Sequence, residues 1–181
     1  MNELKVLSYD LRKHVVDMII AGKGGHIGGD MSVMEILVEL YMKQMNISPE
    51  NKDSDNRDRF VLSKGHSVES YYAVLAKKGF FPMEEVISTF SQFGSKFIGH
   101  PNNKLPGIEM NSGSLGHGLP VCVGMAMAGK MDRKDYRVYV VVGDGELAEG
   151  SVWEGAMAAS HYCLDNLCAV VDRNRLQISG C

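Results

Sequence analysis

The sequence predicts an α/β fold with a doubly wound, mostly parallel sheet and helices on both faces. Apolar runs rich in β-branched residues alternate with segments of helical periodicity, which is the pattern of strand–helix–strand units. The predicted central strands are Arg59–Leu62, Val138–Val142 and Leu167–Val171. Polar or charged residues follow these runs, and open α/β sheets bind ligands at the carboxyl ends of their strands.

Length, composition and charge limit the classes of protein to which the chain can belong. The chain has 181 residues, 45% of them apolar, which is enough for one domain with a core. A net charge of −3 gives no basis for binding nucleic acid or an anionic membrane. The apolar runs are too short to span a membrane, the amino terminus has no secretory pattern, and the cysteines form no CxxC pair. We therefore expect a cytoplasmic protein with no nucleic-acid or membrane partner.

The amino-terminal part is predicted to hold two helices joined by a glycine-rich turn. Glu3–Ala21 places apolar residues at steps of three and four, as in an amphipathic helix, and glycines mark its end. The turn Gly25–Gly29, with the sequence GHIGG, contains one histidine. Ser32 and Glu35 form a capping-box pattern, which predicts that the second helix opens there and runs to about Met45.

The middle of the chain holds two more histidine turns and a loop of small residues. Lys64-Gly65-His66 follows the strand Arg59–Leu62 and precedes a predicted helix, a position suited to contact with a phosphate. Gly99-His100-Pro101 is a turn signal. The loop Asn111–Gly118 precedes a predicted helix over Leu119–Lys130. By residue type alone, these histidines also fit ordinary loop or helix-capping positions.

The segment Val138–Gly180 carries the most specific pattern in the chain. Gly143-Asp144-Gly145 follows one predicted strand, and Asp172-Arg173-Asn174 follows the next. A helix is predicted between them over about Gly150–Tyr162, with Trp153 packing into the core. The whole segment is therefore interpreted as a β-α-β unit.

Acidic and amide side chains at the ends of two neighbouring strands indicate a cation site. Parallel neighbouring strands would bring Asp144 and Asn174 together, although they are distant in sequence. Carboxylate and amide oxygens suit a hard cation such as Mg²⁺. Gly145 would let the backbone approach a diphosphate closely. The alternative, by residues alone, is a plain crossover with turn-forming glycine and aspartate.

The spacing from GDG to the asparagine resembles the thiamine diphosphate motif. Within the superfamily of thiamine diphosphate enzymes, the chain is most similar to transketolases. Three segments carry this resemblance: GDGELAEGSVWEGAMAA, DRNRLQISG and RFVLSKGH. The resemblance implies thiamine diphosphate and Mg²⁺ as cofactors, with Ca²⁺ or Mn²⁺ as substitutes. It implies that Asp144, the Asn174 side chain and the Leu176 main-chain carbonyl hold the metal.

The resemblance also implies roles for individual residues. His26 would contact the sugar substrate, His66 the cofactor diphosphate, and His100 the region of the reacting carbon; Glu149 is a fourth catalytic candidate. The implied cofactor-binding residues are His66, Gly113, Ser114, Leu115, Gly145 and Asn174. The chain departs from the family pattern at Ile27 and Ser114, where proline is usual, and at His117, where glutamine is usual. His117 is thus a further candidate site residue.

The function implied by the resemblance is that of a cofactor-binding transketolase subunit. It would move a two-carbon ketol unit from a ketose phosphate to an aldose phosphate, as in the pentose phosphate pathway. Residues 1–181 would form a thiamine diphosphate- and Mg²⁺-binding domain that is incomplete at its carboxyl end. The glutamate that activates the cofactor lies in the family's pyrimidine-binding domain. We therefore expect activity only with a C-terminal transketolase subunit carrying that domain, in a dimer of heterodimers.

Several alternatives remain open at this point. The chain is either the N-terminal subunit of a split transketolase or a truncated product of a longer gene. The segment SGSLGHG, residues 112–118, favours the split subunit. The enzyme could act on another ketose, such as a sulfo- or branched sugar, or resemble deoxyxylulose phosphate synthase. A non-catalytic binding subunit is a third possibility, against which the intact motif residues argue.

Overall fold

The computed structural model describes residues 3–175, which form two compact units. Residues 3–52 and 66–111 form one, called here the helical unit. Residues 53–65 and 112–175 form the other, called the sheet unit. The two are described separately below.

The helical unit consists of four α-helices. They are α1 (Glu3–Gly22), α2 (Ile27–Glu39), α3 (Val68–Lys78) and α4 (Met83–Thr89), and α2 continues into a π-helical turn, Leu40–Gln44. The helix α1 packs against the other three, and Leu11, Val15 and Met18 on its inner face are buried. These positions follow the predicted amphipathic spacing, so the prediction of this helix is confirmed.

An aromatic cluster fills the core of the helical unit. Tyr72 of α3 lies edge-on to Phe81, Phe90 and Phe97, with ring centroids 5.4 to 6.4 Å apart. Edge-to-face pairs at this separation add to the stability that apolar burial provides. The Tyr72 hydroxyl donates to the main-chain oxygens of residues 98 and 100, which fixes the His100 turn against this core.

The predicted start of α2 is wrong. The helix begins at Ile27, inside the glycine-rich turn, and His26 is its N-cap residue. The Ser32 hydroxyl donates back to the Gly29 oxygen at 3.0 Å, as serine does within a helix. Because α2 already begins at Ile27, Glu35 lies within the helix and has no helix start to cap. Its carboxylate instead binds the Arg12 guanidinium of α1.

The sheet unit contains a parallel three-stranded sheet in the order β1-β2-β3. The strands are β1 (Arg59–Leu62), β2 (Val138–Gly143) and β3 (Leu167–Asp172). Leu62 pairs with Val141, and Gly143 pairs with Asp172, so the carboxyl ends of the strands share one edge. The predictions of an α/β fold and of the three runs in one parallel sheet are confirmed.

Two helices accompany the sheet. The helix α5 (Gly118–Met131) packs against all three strands and against α6 (Gly150–His161), and a 3-10 turn, Gly145–Ala148, precedes α6. Small residues give α5 a narrow packing face. At Gly129, an added Cβ would lie 2.8 Å from the Tyr136 ring, so the glycine allows close packing.

Two predictions of burial in the sheet unit are wrong. Trp153 of α6 is 57% exposed, and its indole N–H donates to the Leu147 oxygen at 2.8 Å. The sequence predicts Leu167–Val171 to be a central strand, which would be covered on both sides, yet Cys168, Ala169 and Val171 are exposed. Within the described residues, β3 has a neighbouring strand on one side only, which explains its exposure.

Within residues 3–175, no helix combines the length and the apolar character needed to cross a membrane.

Candidate cofactor and metal site

The predicted cation site lies at the carboxyl edge of the sheet. Asp144 directly follows β2, and its main-chain N–H donates to the Asp172 oxygen at 3.2 Å. Its carboxylate accepts from the N–H of Gly145 at 3.1 Å and from the N–H of Arg175 at 2.9 Å. The strand register thus places Asp144 beside the segment that carries Asn174, as the sequence predicted.

The chemistry of these groups fits a hard cation. In the described part of the chain, the Asp144 carboxylate accepts only from main-chain N–H groups and is half-buried, so its charge is not neutralised by a cationic side chain. The same part contains no cluster of three or more histidine, cysteine, aspartate or glutamate side chains suited to a metal. Amide and main-chain oxygens would therefore have to complete the ligand set, and Mg²⁺ accepts them. Leu176, the predicted third ligand, lies outside the described residues.

A buried glutamate connects three segments at this edge of the sheet through hydrogen bonds. The carboxylate of Glu146, in the 3-10 turn after GDG, is 2% exposed. One oxygen accepts from the Ser63 hydroxyl and, at 2.8 Å, from the N–H of Gly116; the other accepts from the N–H of Gly143 at 3.0 Å. Glu146 therefore joins the end of β1, the small-residue loop and the end of β2.

The small-residue loop is anchored to the end of β1. The Ser112 hydroxyl donates to the Leu62 oxygen at 2.6 Å, and the Ser63 hydroxyl accepts from the N–H of Gly118 at 3.1 Å. Gly65 has no room for a side chain, because a Cβ there would lie 2.7 Å from the Ser112 carbonyl carbon. Gly113, at a φ of +139°, adopts a conformation that favours glycine. These contacts hold the predicted cofactor-binding residues 113–115 in place.

A buried ion pair links the two outer strands of the sheet. Lys64 follows β1 and Asp172 ends β3, and their side chains meet at 2.5 Å while both are buried. Burying a lysine charge is costly unless a counter-charge accompanies it. The pair also fixes the strand end whose main-chain oxygen binds the N–H of Asp144.

Three predicted histidines come together in the helical unit. The ring of His26 lies 5.4 Å from that of His66 and 6.3 Å from that of His100, both at steep angles. His26 occupies the N-cap position of α2 without a side-chain capping bond, His66 lies just before α3, and His100 lies in the turn held by Tyr72. Gly29 permits the close approach, because a Cβ there would lie 3.5 Å from the His66 Nε2 atom and 2.5 Å from the Ser67 hydroxyl.

One of these histidines has a perturbed protonation equilibrium. Burial lowers the pKa of His100, and the nearby charge of His26 lowers it further. Both causes favour the neutral imidazole at neutral pH, which is the form that accepts a proton.

A separate apolar groove of about 490 Å³ lies elsewhere in the sheet unit. Ala159 of α6, Leu167 of β3 and Leu164 in the turn between them are among the residues that line it. None of the predicted site residues is part of its lining, so we do not assign it to the cofactor.

Comparison with known families gives the deciding observation: residues 5–181 match the family described as transketolase, thiamine diphosphate binding domain. The chain belongs to this transketolase family. Its cofactor, according to that description, is thiamine diphosphate.

Individual relatives agree with the assignment. The chain is 53% identical over 177 residues to an apulose-4-phosphate transketolase subunit of Phocaeicola vulgatus, covering 98% of this chain and 63% of that protein. It is 45% identical over 157 residues to a 6-deoxy-6-sulfo-D-fructose transketolase subunit of a Clostridium species, covering 86% of this chain and 57% of that protein. The transketolase structure from Campylobacter jejuni superposes with a TM-score of 0.93 at 32% identity, covering 99% of this chain and 29% of that one. The chain therefore spans less than two thirds of each of these three relatives.

The remaining predicted site residues of this transketolase-family chain are exposed or half-buried. Glu149 is exposed and precedes α6, with no side-chain capping bond. His117 is also exposed, and its Nδ1 atom lies 3.2 Å from the Leu115 oxygen. Exposure at both positions leaves their side chains available to a ligand or to another chain.

Sequence reasoning missed the buried polar residues that support the site. In the sequence, Glu146 stood out only as part of the GDGELAEG segment, and Lys64 only as part of Lys64-Gly65-His66. A charged residue inside an otherwise apolar or glycine-rich motif is the signal that could have drawn attention to them, because such residues are seldom buried without a partner. Ser63, which binds Glu146, and Asp172, which binds Lys64, are 83 and 108 residues away in the sequence. No local sequence pattern predicts such partners.

Proposed function

We propose that this chain is the cofactor-binding part of a transketolase-type enzyme that transfers a two-carbon ketol unit from a ketose phosphate to an aldose phosphate. The observation that supports it best is the Asp144 carboxylate, held beside the Asn174 segment at the carboxyl edge of the sheet. Membership of the transketolase family supplies the reaction class.

The proposed metal site consists of Asp144, the Asn174 side chain and the Leu176 carbonyl. An ion such as Mg²⁺ there would bind diphosphate oxygens as well as protein ligands. Gly145, the residues 113–115 and His66 are the proposed contacts of the cofactor. Thiamine diphosphate supplies the carbanion chemistry of ketol transfer when it is bound.

The histidine cluster is proposed to bind the sugar and to handle its protons. A neutral imidazole accepts a proton from a hydroxyl group and returns it later, and the lowered pKa of His100 favours that form. His26 and His66 would contact the substrate and the diphosphate. Glu149 is the fourth proposed catalytic residue, and its exposure leaves it accessible.

A second polypeptide is proposed to complete the enzyme. The relative from Phocaeicola vulgatus is named as a subunit of a transketolase, and the chain spans only 29% of the transketolase from Campylobacter jejuni. We infer a partner that carries the pyrimidine-binding domain, in a dimer of heterodimers acting on sugar phosphates in the cytoplasm. The pentose phosphate pathway is one setting for such an enzyme.

The relatives favour particular donors over others. The 53% identical relative is named for apulose-4-phosphate, and the 45% identical relative for 6-deoxy-6-sulfo-D-fructose. For this chain we propose a branched-chain ketose phosphate or a sulfonated ketose as the donor. We place the branched-chain donor first because the identity is higher and the matched segment is longer. Assay of the assembled enzyme with both donor classes distinguishes them.

Cofactor binding is tested by calorimetry on the chain and an Asp144→Ala variant. We expect thiamine diphosphate to bind the unaltered chain only when Mg²⁺ is present, and the variant to lose at least ~10-fold in affinity, because a charged ligand of a hard cation is missing. Asp135→Ala, which removes an exposed aspartate from the same unit, is the matched control and should bind normally. Equal affinity of the Asp144→Ala variant and the unaltered chain would contradict the assignment.

A further inference from the structure

Two buried carboxyl groups lie beside the histidine cluster and have no role in the proposed chemistry. Asp30, in the first turn of α2, is 0% exposed, and Glu69, the second residue of α3, is 1% exposed. In residues 3–175 neither is paired with a lysine or arginine. Two carboxylate charges in such a position are costly, so a compensating interaction is required.

The hydrogen bonds of the pair are incomplete if both groups are ionised. Asp30 Oδ1 accepts from the N–H of Ser70 at 2.8 Å, and the Ser70 hydroxyl donates to the Asp30 main-chain oxygen at 2.9 Å. Asp30 Oδ2 is buried without a donor in residues 3–175, and the Glu69 oxygens have only the main-chain N–H groups of Glu69 and His26 near them, short of full hydrogen-bond geometry. Since ionised carboxylates only accept, a proton on one of the two groups provides the missing donor.

The electrostatics place that proton on Asp30. Burial, and then the charge of Glu69, raise the pKa of Asp30 to about 8. Burial also raises the pKa of Glu69, but its own N–H, the Asp30 side chain and the His26 backbone and ring oppose the rise. Tyr72 faces the same pocket, and burial and the Glu69 charge raise its pKa, so it stays neutral. The Ile19 side chain of α1 also lies against Gly25, next to the Glu69 carboxyl.

The pair is in direct contact with the turn that carries His26. A Cβ on Gly25 would collide with the Oε1 atom of Glu69, so this carboxyl lies against the backbone just before His26. The main-chain N–H of His26 also lies near the Glu69 carboxyl, and the main-chain N–H of Asp30 donates to the His26 oxygen at 3.2 Å, as the first bond of α2. The Glu69 carboxyl therefore lies against the start of the His26 turn, and Asp30 lies directly after its end.

We propose that Asp30 and Glu69 share one proton, carried by Asp30, and that this pair is the positioning element that fixes the His26 turn. The hydrogen bond from the protonated Asp30 to the Glu69 carboxylate joins α2 to α3 at the two ends of the turn. A function for the positioned His26 in substrate binding rests on the proposed function above. The shared proton and the fixed turn do not.

The shared proton is tested by the pH dependence of unfolding, comparing the full chain with Asp30→Asn. The asparagine amide donates to Glu69 without titrating. Because the folded-state pKa of Asp30 is raised, its protonated form contributes stability that is present at low pH and lost as the pH rises through that pKa. Between pH 5 and pH 7, the folding constant of the unaltered chain, divided by that of the variant, should fall about tenfold per pH unit.

A control variant on the same helix separates this effect from general titration. Glu35→Gln removes an exposed carboxylate whose pKa is held low by its hydrogen bond with Arg12. The folding constant of the unaltered chain, divided by that of Glu35→Gln, should therefore stay constant between pH 5 and pH 7. A constant ratio for Asp30→Asn as well would overturn the shared proton.

Positioning is tested by the NMR signals of the His26 imidazole, assigned with a His26→Ala variant. Asp30→Ala should shift these signals, and Asp30→Asn should restore them, because the amide replaces the donor. Equal signals in all three proteins would overturn the positioning role. If Asp30→Ala does not fold, Glu69→Ala compared with Glu69→Gln gives the same test. Neither experiment uses cofactor or ketol transfer, so its failure is distinguishable from failure of the proposed function.

Discussion

At the scale of single residues, the buried polar side chains decide the shape of the site. Glu146 accepts three hydrogen bonds from groups that belong to three separate segments. A carboxylate suits this position because it is acceptor-only and offers two oxygens. The neighbouring glycines provide main-chain N–H groups that side chains would otherwise obstruct.

Substitution of Glu146 by glutamine should destabilise the chain. A glutamine amide has one oxygen and one NH₂ group, so one of its ends must face a main-chain N–H donor. We expect a loss of about 2–3 kcal/mol in the free energy of unfolding, since a buried donor is left without an acceptor. Urea denaturation measures it. Glu154→Gln, at an exposed position of α6, is the control and should change stability by less than about 0.5 kcal/mol.

At the scale of secondary-structure elements, the Lys64–Asp172 ion pair connects the ends of β1 and β3 across β2. Hydrogen bonds of the sheet align neighbouring strands, but they do not link these two strands directly. The pair supplies such a link at the edge where Asp144 lies. Its contribution is one of alignment, because a buried ion pair adds little net stability relative to apolar side chains.

Removing one partner of this pair should lower the free energy of unfolding more than removing both. In Lys64→Met, the buried Asp172 carboxylate loses its counter-charge, and we expect a loss of about 3–5 kcal/mol in the free energy of unfolding. The double variant Lys64→Met/Asp172→Leu should recover much of that loss, because neither charge of the pair remains buried. A double variant whose loss equals the sum of the two single losses would contradict the coupling of these side chains.

At the scale of the whole molecule, the chain accounts for only part of the proposed enzyme. The activating glutamate of the family is expected on a partner, and the chain matches 29% of the transketolase from Campylobacter jejuni. A ligand that binds only the assembled state strengthens assembly by mass action. Cofactor binding and association with the partner should therefore be coupled.

This coupling is measurable by sedimentation of the chain mixed with its candidate partner. We expect Mg²⁺ and thiamine diphosphate together to tighten the association, and ketol transfer to appear only in the mixture. The Asp144→Ala variant should still bind the partner, but without the gain from cofactor. Ketol transfer by the chain alone, with mass spectrometry excluding a partner, would rule out the proposal of two polypeptides.

The sequence by itself determined the strands and the meeting of Asp144 with the Asn174 segment. Apolar runs of β-branched residues depend on local periodicity, and two neighbouring parallel strands necessarily end at the same edge of a sheet. The residues that follow β2 and β3 are therefore placed together by the sequence alone. The family resemblance added the histidines, and the structure brings His26, His66 and His100 within one cluster.

Only the tertiary structure decided which charged side chains are buried and which apolar ones are not. Ser32 and Glu35 had the pattern of a helix start, but Arg12 of another helix binds Glu35, and α2 begins at Ile27. Trp153 is exposed although its residue type predicts burial. Asp30 and Glu69 are buried together although each alone predicts a solvated surface. Burial and pairing depend on contacts between residues far apart in the chain, and local sequence patterns do not encode those contacts.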